Sequence, residues 1–299
     1  MATAEPAKKQ WSILDLITWG TGYLTEKNID DARLTIELLL SRVLQLQRIQ
    51  LYTKFDQPLS EAELASFKAL LKRRLANEPL QYILGDTEFM GLRFLVDTNV
   101  LIPRPETELL AERAIALLKS SFPPEQPISI LDLGTGSGCI AVTLAKKLPN
   151  AQVTGIDISE GALRVAAANA ELNGMQDRIH FVPGDIMALN PGQFAQPFHC
   201  IISNPPYISS AEFAQVAPEV KEFEPSIALT DNGNGLKFYP GIAHFAFAAL
   251  ADGGIVAVEH AFDQSAAVRS IFTDEGFSDP EVIKDYQGIE RHVLYRKRS

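Results

Sequence analysis

Cysteine and long apolar runs are both scarce in this 299-residue chain. Only Cys139 and Cys200 are present, too few for a disulfide framework, so we expect a reducing, cytoplasmic compartment. No apolar run approaches the roughly 20 residues that a membrane span needs, and residues 1–10 lack the apolar core of a signal peptide. Cysteine and histidine show no metal-ligand spacing. We therefore expect a soluble globular protein without a metal site or a membrane partner.

Positive charge is also in short supply. The net charge is −10, and residues 1–80 hold 11 basic and 10 acidic side chains, which leaves 16 basic and 27 acidic side chains for the remainder. Nucleic-acid binding draws its affinity largely from lysine and arginine side chains that neutralise phosphates. The acidic larger part of the chain therefore argues against a direct nucleic-acid partner.

The first part of the chain has a helical pattern. Apolar residues recur near helical spacing, first at Trp11, Leu14, Ile17 and Trp19 and then at Leu34, Ile36, Leu38, Leu39 and Val43. Ser60 followed by Glu63 is typical of a capping box that opens another helix. We predict a small helical bundle over residues 1–81, which we interpret as a substrate-recognition domain.

A change of pattern follows the bundle. The strand-like segments 82–84 and 92–96, with Gly85 and Gly91 beside them, predict a β-hairpin linker over residues 82–102. Residues 102–106 then lead into a helix with proline and acidic residues in its first turn, which we expect to run to about Lys119.

Residues 103–299 have the alternating pattern of an α/β domain. Predicted strands lie at 128–133, 153–158, 179–182, 198–203, 255–259, 280–284 and 292–295, and predicted helices at 139–148, 161–172, 235–250 and 264–273. Strands separated by helices predict a Rossmann-like, mostly parallel sheet that is covered on both faces. Ligands of such sheets bind outside the carboxyl ends of the strands.

A glycine-rich loop follows the first strand of this domain. Its residues are Gly134, Thr135, Gly136, Ser137 and Gly138. Alternate glycines allow positive φ and a close approach of the backbone to a ligand. A dinucleotide loop would have its third glycine where Cys139 stands, so the spacing is closer to loops that hold S-adenosylmethionine. A tight turn without a ligand is the alternative.

Carboxylates stand at the ends of the next two strands. Asp157 can accept hydrogen bonds from both hydroxyls of a ribose, or it can cap the next helix, although Ser159 is better placed for capping. Asp185 can accept from an adenine amine, with Ile186 as an apolar wall for the ring. A turn-stabilising role for Asp185 is the alternative.

The fourth strand ends in Asn204, Pro205, Pro206 and Tyr207. Consecutive prolines stiffen the loop and remove backbone donors, which leaves the Asn204 side-chain oxygen and the Pro205 carbonyl as acceptors. Such a pair can hold the NH2 group of a planar amide or amine, with the ring of Tyr207 stacked on it. The alternative is a strand-ending turn in which Tyr207 covers the core.

These motifs, in this order, resemble the HemK-type protein-(glutamine-N5) methyltransferases, which are class I S-adenosylmethionine-dependent methyltransferases. The narrower resemblance lies in Phe89-x-Gly91-x-x-Phe94-x-Val96, in Val-Leu-Ile-Pro-Arg-Pro-Glu-Thr-Glu at 100–108, in Ser-Asn-Pro-Pro-Tyr-Ile at 203–208 and in Gly288-x-x-Arg291. The match covers nearly the whole chain, although it is loose in the helical bundle.

The resemblance implies a function and a set of site residues. It implies methylation of the glutamine of the Gly-Gly-Gln motif in peptide chain release factors, with S-adenosyl-L-homocysteine as the second product, by a monomer with a seven-stranded sheet. Asn204, Pro205 and Tyr207 are then catalytic, and Pro206 completes the substrate loop. The cofactor would contact the glycine loop, Asp157, Asp185, Ile186 and also Asn204.

Two other functions are alternatives to this one. An adenine-N6 methyltransferase that acts on DNA or RNA uses a similar loop, but it would need to flip the base and would normally show a basic groove. A regulatory protein that binds S-adenosylmethionine without transferring the methyl group is the non-enzymatic alternative. The intact loop at residues 204–207 argues against it.

Overall fold

Residues 10–84 form the first of two structural units in the computed structural model, which describes residues 10–298. Residues 1–9, which make up most of the segment that lacks the apolar core of a signal peptide, lie outside the described residues. The helices of this unit are α1 (Ile13–Glu26), α2 (Ala32–Leu44), α3 (Arg48–Thr53), α4 (Glu61–Leu75) and α5 (Leu80–Leu84). The predicted capping box is confirmed, because the Ser60 hydroxyl accepts from Glu63 N and the Glu63 carboxylate accepts from Ser60 N.

The buried face of α1 differs from the predicted one. Ile13, Leu16, Ile17 and Leu24 are buried, whereas Leu14 is 49% exposed and Trp19 is 43% exposed. At about 100° per residue, the buried residues lie within roughly 60° of Ile13 around the helix axis, whereas Leu14 and Trp19 lie roughly 100° and 120° from it, on opposite sides of that face. The predicted apolar stripe was therefore wrong at these two positions.

The segment 82–84 is helical, so the predicted first strand of the hairpin was wrong there. It forms the end of α5, in which Ile83 N donates to Pro79 O at 3.1 Å. Ile83 is buried among the helices of the first unit, and Leu80 and Leu84 pack against the same cluster. A short apolar run does not distinguish strand from helix by periodicity, and packing decided the outcome.

The hairpin itself belongs to the second unit, residues 85–298. It consists of β1 (Asp86–Phe89) and β2 (Leu92–Leu95), joined at Met90 and Gly91, which both have positive φ values of 53° and 75°. Such a two-residue turn matches the twist of paired strands. The Asn169 carboxamide accepts from Leu95 N at 2.6 Å and donates to Leu95 O at 3.0 Å, so the hairpin is held against the rest of this unit.

The rest of the second unit alternates strands and helices as predicted, with two additional short helices, α9 and α10. In chain order the elements are α6 (Pro105–Ser121), β3 (Ile128–Leu133), α7 (Cys139–Lys147), β4 (Ala151–Asp157), α8 (Glu160–Leu172), β5 (Ile179–Pro183), β6 (Phe198–Ser203), α9 (Ser210–Phe213), α10 (Pro218–Phe223), α11 (Phe238–Ala249), β7 (Leu250–Glu259), α12 (Ser265–Asp274), β8 (Glu281–Lys284) and β9 (Glu290–Arg296).

One seven-stranded sheet has the order β5-β4-β3-β6-β7-β9-β8. The first five strands of this order are parallel, and β9 is antiparallel to both of its neighbours. In β6, the side chain of Ile201 packs into one apolar cluster and that of Ile202 into another, so both faces of the sheet are covered. The predicted mostly parallel seven-stranded sheet is confirmed. Within residues 10–298, no helix is both long enough and apolar enough to cross a bilayer.

Candidate active site

The site lies where the sheet order reverses, between β3 and β6. From β3 the chain continues through α7 to β4 on one side, whereas β6 lies on the other side. Leu133 and Ser203, the last residues of β3 and β6, are in register, and the Ser203 hydroxyl donates to Leu133 O at 2.8 Å. Gly134 and Asn204 therefore leave the sheet side by side, at the position where such sheets bind ligands.

The glycine loop turns over the end of β4. Gly134, Gly136 and Gly138 have φ values of 72°, 55° and 76°, which residues other than glycine rarely adopt. A Cβ atom on Gly136 would meet no atom closer than 3.9 Å, so the space over this residue is open to a ligand. A Cβ atom on Gly138 would lie only 3.1 Å from Ala166 Cβ, so this glycine allows α7 and α8 to pack closely.

The two side chains between the glycines point into the protein. Thr135 and Ser137 are 4% and 3% exposed. The Thr135 hydroxyl donates to Asp132 Oδ2 at 2.7 Å, and Ser137 O accepts from Asn169 Nδ2 at 2.9 Å. Burial raises the pKa of the Asp132 carboxyl to about 7. These buried hydrogen bonds hold the glycine loop on the side that faces the protein interior.

Asp157 connects the end of β4 to the glycine loop. One of its oxygens accepts from Gly136 N at 2.8 Å and the other from Ser159 N at 2.9 Å. Burial raises the pKa of the Asp157 carboxyl, and the hydrogen bonds from Ser159 and Gly136 oppose that rise. The helix N-cap is Ser159, whose hydroxyl accepts from Ala162 N. Ser159 therefore caps α8, and the alternative capping role predicted for Asp157 is not observed.

Asp185 stabilises a turn, which is the alternative role that the sequence offers for it. It also lines a cavity at this edge of the sheet. Its Oδ1 accepts from Met187 N at 2.9 Å, at the start of a short 3-10 helix, Ile186–Ala188. Ile186 lies close to the glycine loop, since its Cδ1 atom would be 3.6 Å from a Cβ atom on Gly134.

A cavity of about 320 Å³ brings most of these residues together. Of the predicted site residues, those that line it are Gly134, Gly136, Asp157, Asp185, Ile186, Asn204 and Pro206. Those that do not line it are Thr135, Ser137, Gly138, Pro205 and Tyr207. The cavity therefore joins the carboxyl ends of four neighbouring strands.

Two segments that sequence reasoning did not assign to the site also line the cavity. One is 99–101, which precedes α6, and the other lies within 227–232, after α10. Half of their lining residues are polar, namely Asn99, Thr230, Asp231 and Asn232, and the others are apolar. Val100 and Leu101 are the first residues of the family motif at 100–108, and that motif could have pointed to the first of these segments.

Asn204 is held by a buried hydrogen-bond network. Its Nδ2 atom donates to Thr107 Oγ1 at 3.1 Å, and the Thr107 hydroxyl donates to Glu259 Oε2 at 2.7 Å. The Tyr207 hydroxyl donates to Glu259 Oε1 at 3.1 Å. Burial and the neighbouring Glu259 raise the pKa of Tyr207 well above its usual value, so the phenol keeps its proton. Sequence reasoning assigned neither Thr107 nor Glu259 to the site.

A second buried carboxylate anchors the segment that leads into α6. Glu224 accepts from Ile102 N at 3.1 Å and from the Arg104 guanidinium at 2.5 Å. Its side chain is almost fully buried. The bonds fix the start of α6, whose first turn carries Thr107.

This fold, with a ligand cavity at its switch point, is that of the class I methyltransferases. A methyltransferase structure from Pyrococcus furiosus superimposes with a TM-score of 0.50 at 21% identity, over 70% of this chain and 91% of that one, and it shows the fold alone. Residues 15–85 match the model of the PrmC N-terminal domain, and residues 111–223 match that of the methyltransferase small domain.

Full-length relatives narrow the class to one family. The release factor glutamine methyltransferase of Chlorobaculum tepidum is 43% identical over 96% of this chain and 97% of its own length. That of Geobacter sulfurreducens is 42% identical over 95% of this chain and 96% of its own length. The chain belongs to the release factor glutamine methyltransferase family.

Proposed function

We propose that this chain transfers a methyl group from S-adenosylmethionine to the side-chain amide nitrogen (N5) of the glutamine in the Gly-Gly-Gln motif of peptide chain release factors. S-adenosyl-L-homocysteine is the second product. The observation that carries the proposal is that Asn204 opens into the same cavity as Gly136 and Asp157. Relatives that bear this activity in their names match nearly the whole chain.

The cavity residues fit S-adenosylmethionine, which would supply a methyl group on a positively charged sulfur. The cavity volume, about 320 Å³, is within the usual range for small-molecule sites. Gly136 leaves open space where a side chain would otherwise stand, and Ile186 lies beside Gly134. Each oxygen of Asp157 accepts one backbone N–H and has lone-pair capacity for a ribose hydroxyl. We assign Asp185 and Ile186 to the adenine end.

The substrate nitrogen needs help from the protein, because an amide lone pair is delocalised into its carbonyl. We assign the Asn204 side-chain oxygen and the Pro205 carbonyl to accept the two amide hydrogens, which orients the nitrogen and raises its electron density. Orientation contributes about 7–11 kcal/mol to lowering a barrier, whereas a single preorganised contact contributes about 3–4 kcal/mol. Orientation is therefore the larger effect.

The remaining loop residues keep this arrangement stiff. Pro206 restricts the backbone. Tyr207 packs against an apolar core cluster and its hydroxyl donates to Glu259, so we propose that it supports the substrate loop rather than stacking on the substrate amide. The nitrogen loses its proton after it has accepted the methyl group, so no general base is needed before attack.

The proposed setting is the cytoplasm, where the chain acts as a monomer on a protein substrate. Cys139 and Cys200 are both free, buried thiols, as a reducing compartment allows. The excess of acidic side chains after residue 80 disfavours a long contact with a phosphate backbone.

Mass spectrometry of a purified release factor, after incubation with the protein and S-adenosylmethionine, tests the proposal. We expect one added methyl group that maps to the glutamine of Gly-Gly-Gln. A release factor in which that glutamine is alanine is the control and should remain unmodified. Methylated adenine in an oligonucleotide, together with an unmodified release factor, would overturn the assignment.

A further inference from the structure

We propose that Thr107 and Glu259 are positioning residues that decide which atom of the Asn204 carboxamide faces the cavity. This inference deepens the proposed function and rests on it, since it concerns how the acceptor for the substrate amide is presented. The two orientations of a carboxamide have nearly the same shape. Only the oxygen can accept a hydrogen from the substrate NH2 group, so the protein must select one orientation.

The selection follows from the single proton of the Thr107 hydroxyl. A carboxylate only accepts hydrogen bonds, so the contact of 2.7 Å between Thr107 Oγ1 and Glu259 Oε2 uses that proton. The Thr107 oxygen can then only accept from Asn204. The contact of 3.1 Å must therefore be made by Nδ2, which leaves Oδ1 as the acceptor for a substrate.

Burial makes this direction hard to reverse. Thr107 is 3% exposed and Glu259 is 2% exposed, so water does not readily replace either partner. The other Glu259 oxygen already accepts from the Tyr207 hydroxyl, and the Glu259 backbone carbonyl accepts from the Tyr239 hydroxyl at 2.9 Å. Turning the Thr107 hydroxyl toward Asn204 would leave a buried carboxylate oxygen without this donor, which is costly.

Removal of the Thr107 hydroxyl removes the selection. Thr107→Val keeps the side-chain shape but offers no acceptor to Asn204 Nδ2. In a share of the molecules, Asn204 then presents its NH2 group to the NH2 group of the substrate. We expect kcat for release factor methylation to fall about 10- to 100-fold, as is typical for the loss of a partner that orients a site residue. Thr107→Ser should restore most of the loss, and calorimetry should give an unchanged Kd for S-adenosylmethionine.

A matched control is available in α7. Thr143 is fully buried, and among residues 10–298 its hydroxyl has no hydrogen-bond partner. Thr143→Val therefore makes the same chemical change in a buried position away from the site. We expect its kcat to equal that of the wild type.

A double-mutant cycle separates positioning from a structural effect. If Thr107 acts only through Asn204, Thr107→Val should cost nothing further in an Asn204→Ala background. Glu259→Leu removes the acceptor of the Thr107 proton, so the Thr107 hydroxyl can donate to Asn204 instead, and this variant should also lower kcat.

The outcomes distinguish this inference from the function on which it rests. A wild-type protein that does not methylate the release factor overturns the proposed function. With an active wild type, full kcat in Thr107→Val or Glu259→Leu overturns the positioning roles alone. A loss from Thr107→Val that persists in the Asn204→Ala background does the same.

Discussion

Asp132 makes the stability of the second unit depend on pH in a direction that can be measured. The carboxyl lies at the end of β3 and is fully buried. Burial raises its pKa from 3.8 to about 7, and the charge of Asp157 acts in the same direction. A shift of about 3 pKa units corresponds to roughly 4 kcal/mol.

The sign follows from proton linkage. Because the folded-state pKa of Asp132 is above the unfolded value, the folded protein binds this proton more tightly. The contribution to stability is complete below about pH 4 and is lost as the pH rises toward 7. Asp132→Asn removes the titration. We therefore expect the free energy of unfolding of the variant, minus that of the wild type, to rise by about 4 kcal/mol between pH 4 and pH 8.

The assay must report on the correct unit. Both tryptophans, Trp11 and Trp19, lie in the first unit, so tryptophan fluorescence would follow the wrong transition. Hydrogen exchange of peptides from β3, in urea at several pH values, reports on the second unit. Asp252→Asn, which removes an exposed carboxylate from β7, controls for the loss of one charge. A stability difference that stays constant from pH 4 to pH 8 would refute the reasoning.

Further predictions concern the cofactor, the substrate loop and the glycine loop. Asp157→Ala should weaken S-adenosylmethionine binding roughly 10- to 100-fold, since hydrogen bonds to charged groups contribute about 1.5–3 kcal/mol; wild-type affinity in calorimetry would remove Asp157 from the cofactor site. Asn204→Ala should lower single-turnover methylation about 100- to 1000-fold, with much less effect on cofactor affinity, and an unchanged rate would contradict its role. Gly138→Ala should destabilise the second unit by about 2–3 kcal/mol, of which positive φ accounts for about 1–2 kcal/mol and the contact with Ala166 for the rest. Gly174→Ala, where φ is 69° and no atom lies within 4 Å of the added Cβ, isolates the φ cost; equal losses in the two variants under urea denaturation would show that the contact is harmless.

The sequence alone located most of the candidate site. Gly136, Asp157, Asp185 and Asn204 each stand at or just after the end of a predicted strand, and the structure places all four around one cavity. Such residues can be found from sequence because a turn type and the end of an apolar run are local properties. Parallel strands then bring those ends to one edge of the sheet.

Local patterns were insufficient where packing decided between two conformations. The segment 82–84 has the composition of a strand, but it completes a helix because Ile83 fills the core of the first unit. Leu14 and Trp19 are apolar residues that the helix phase turns outward. In each case, the deciding contacts come from elsewhere in the chain.

Only the tertiary structure showed what orients Asn204. Thr107 is 97 residues from Asn204 and 152 residues from Glu259 in the chain, and neither the proline-rich segment around Thr107 nor the end of β7 suggests a hydrogen bond between them. The sequence by itself determined which groups stand at the strand ends, since their positions depend on neighbouring residues. The direction in which the Asn204 amide points depends on the hydroxyl proton of Thr107, which is donated to Glu259 at the end of β7. Only the folded chain brings α6, β7 and the loop after β6 together.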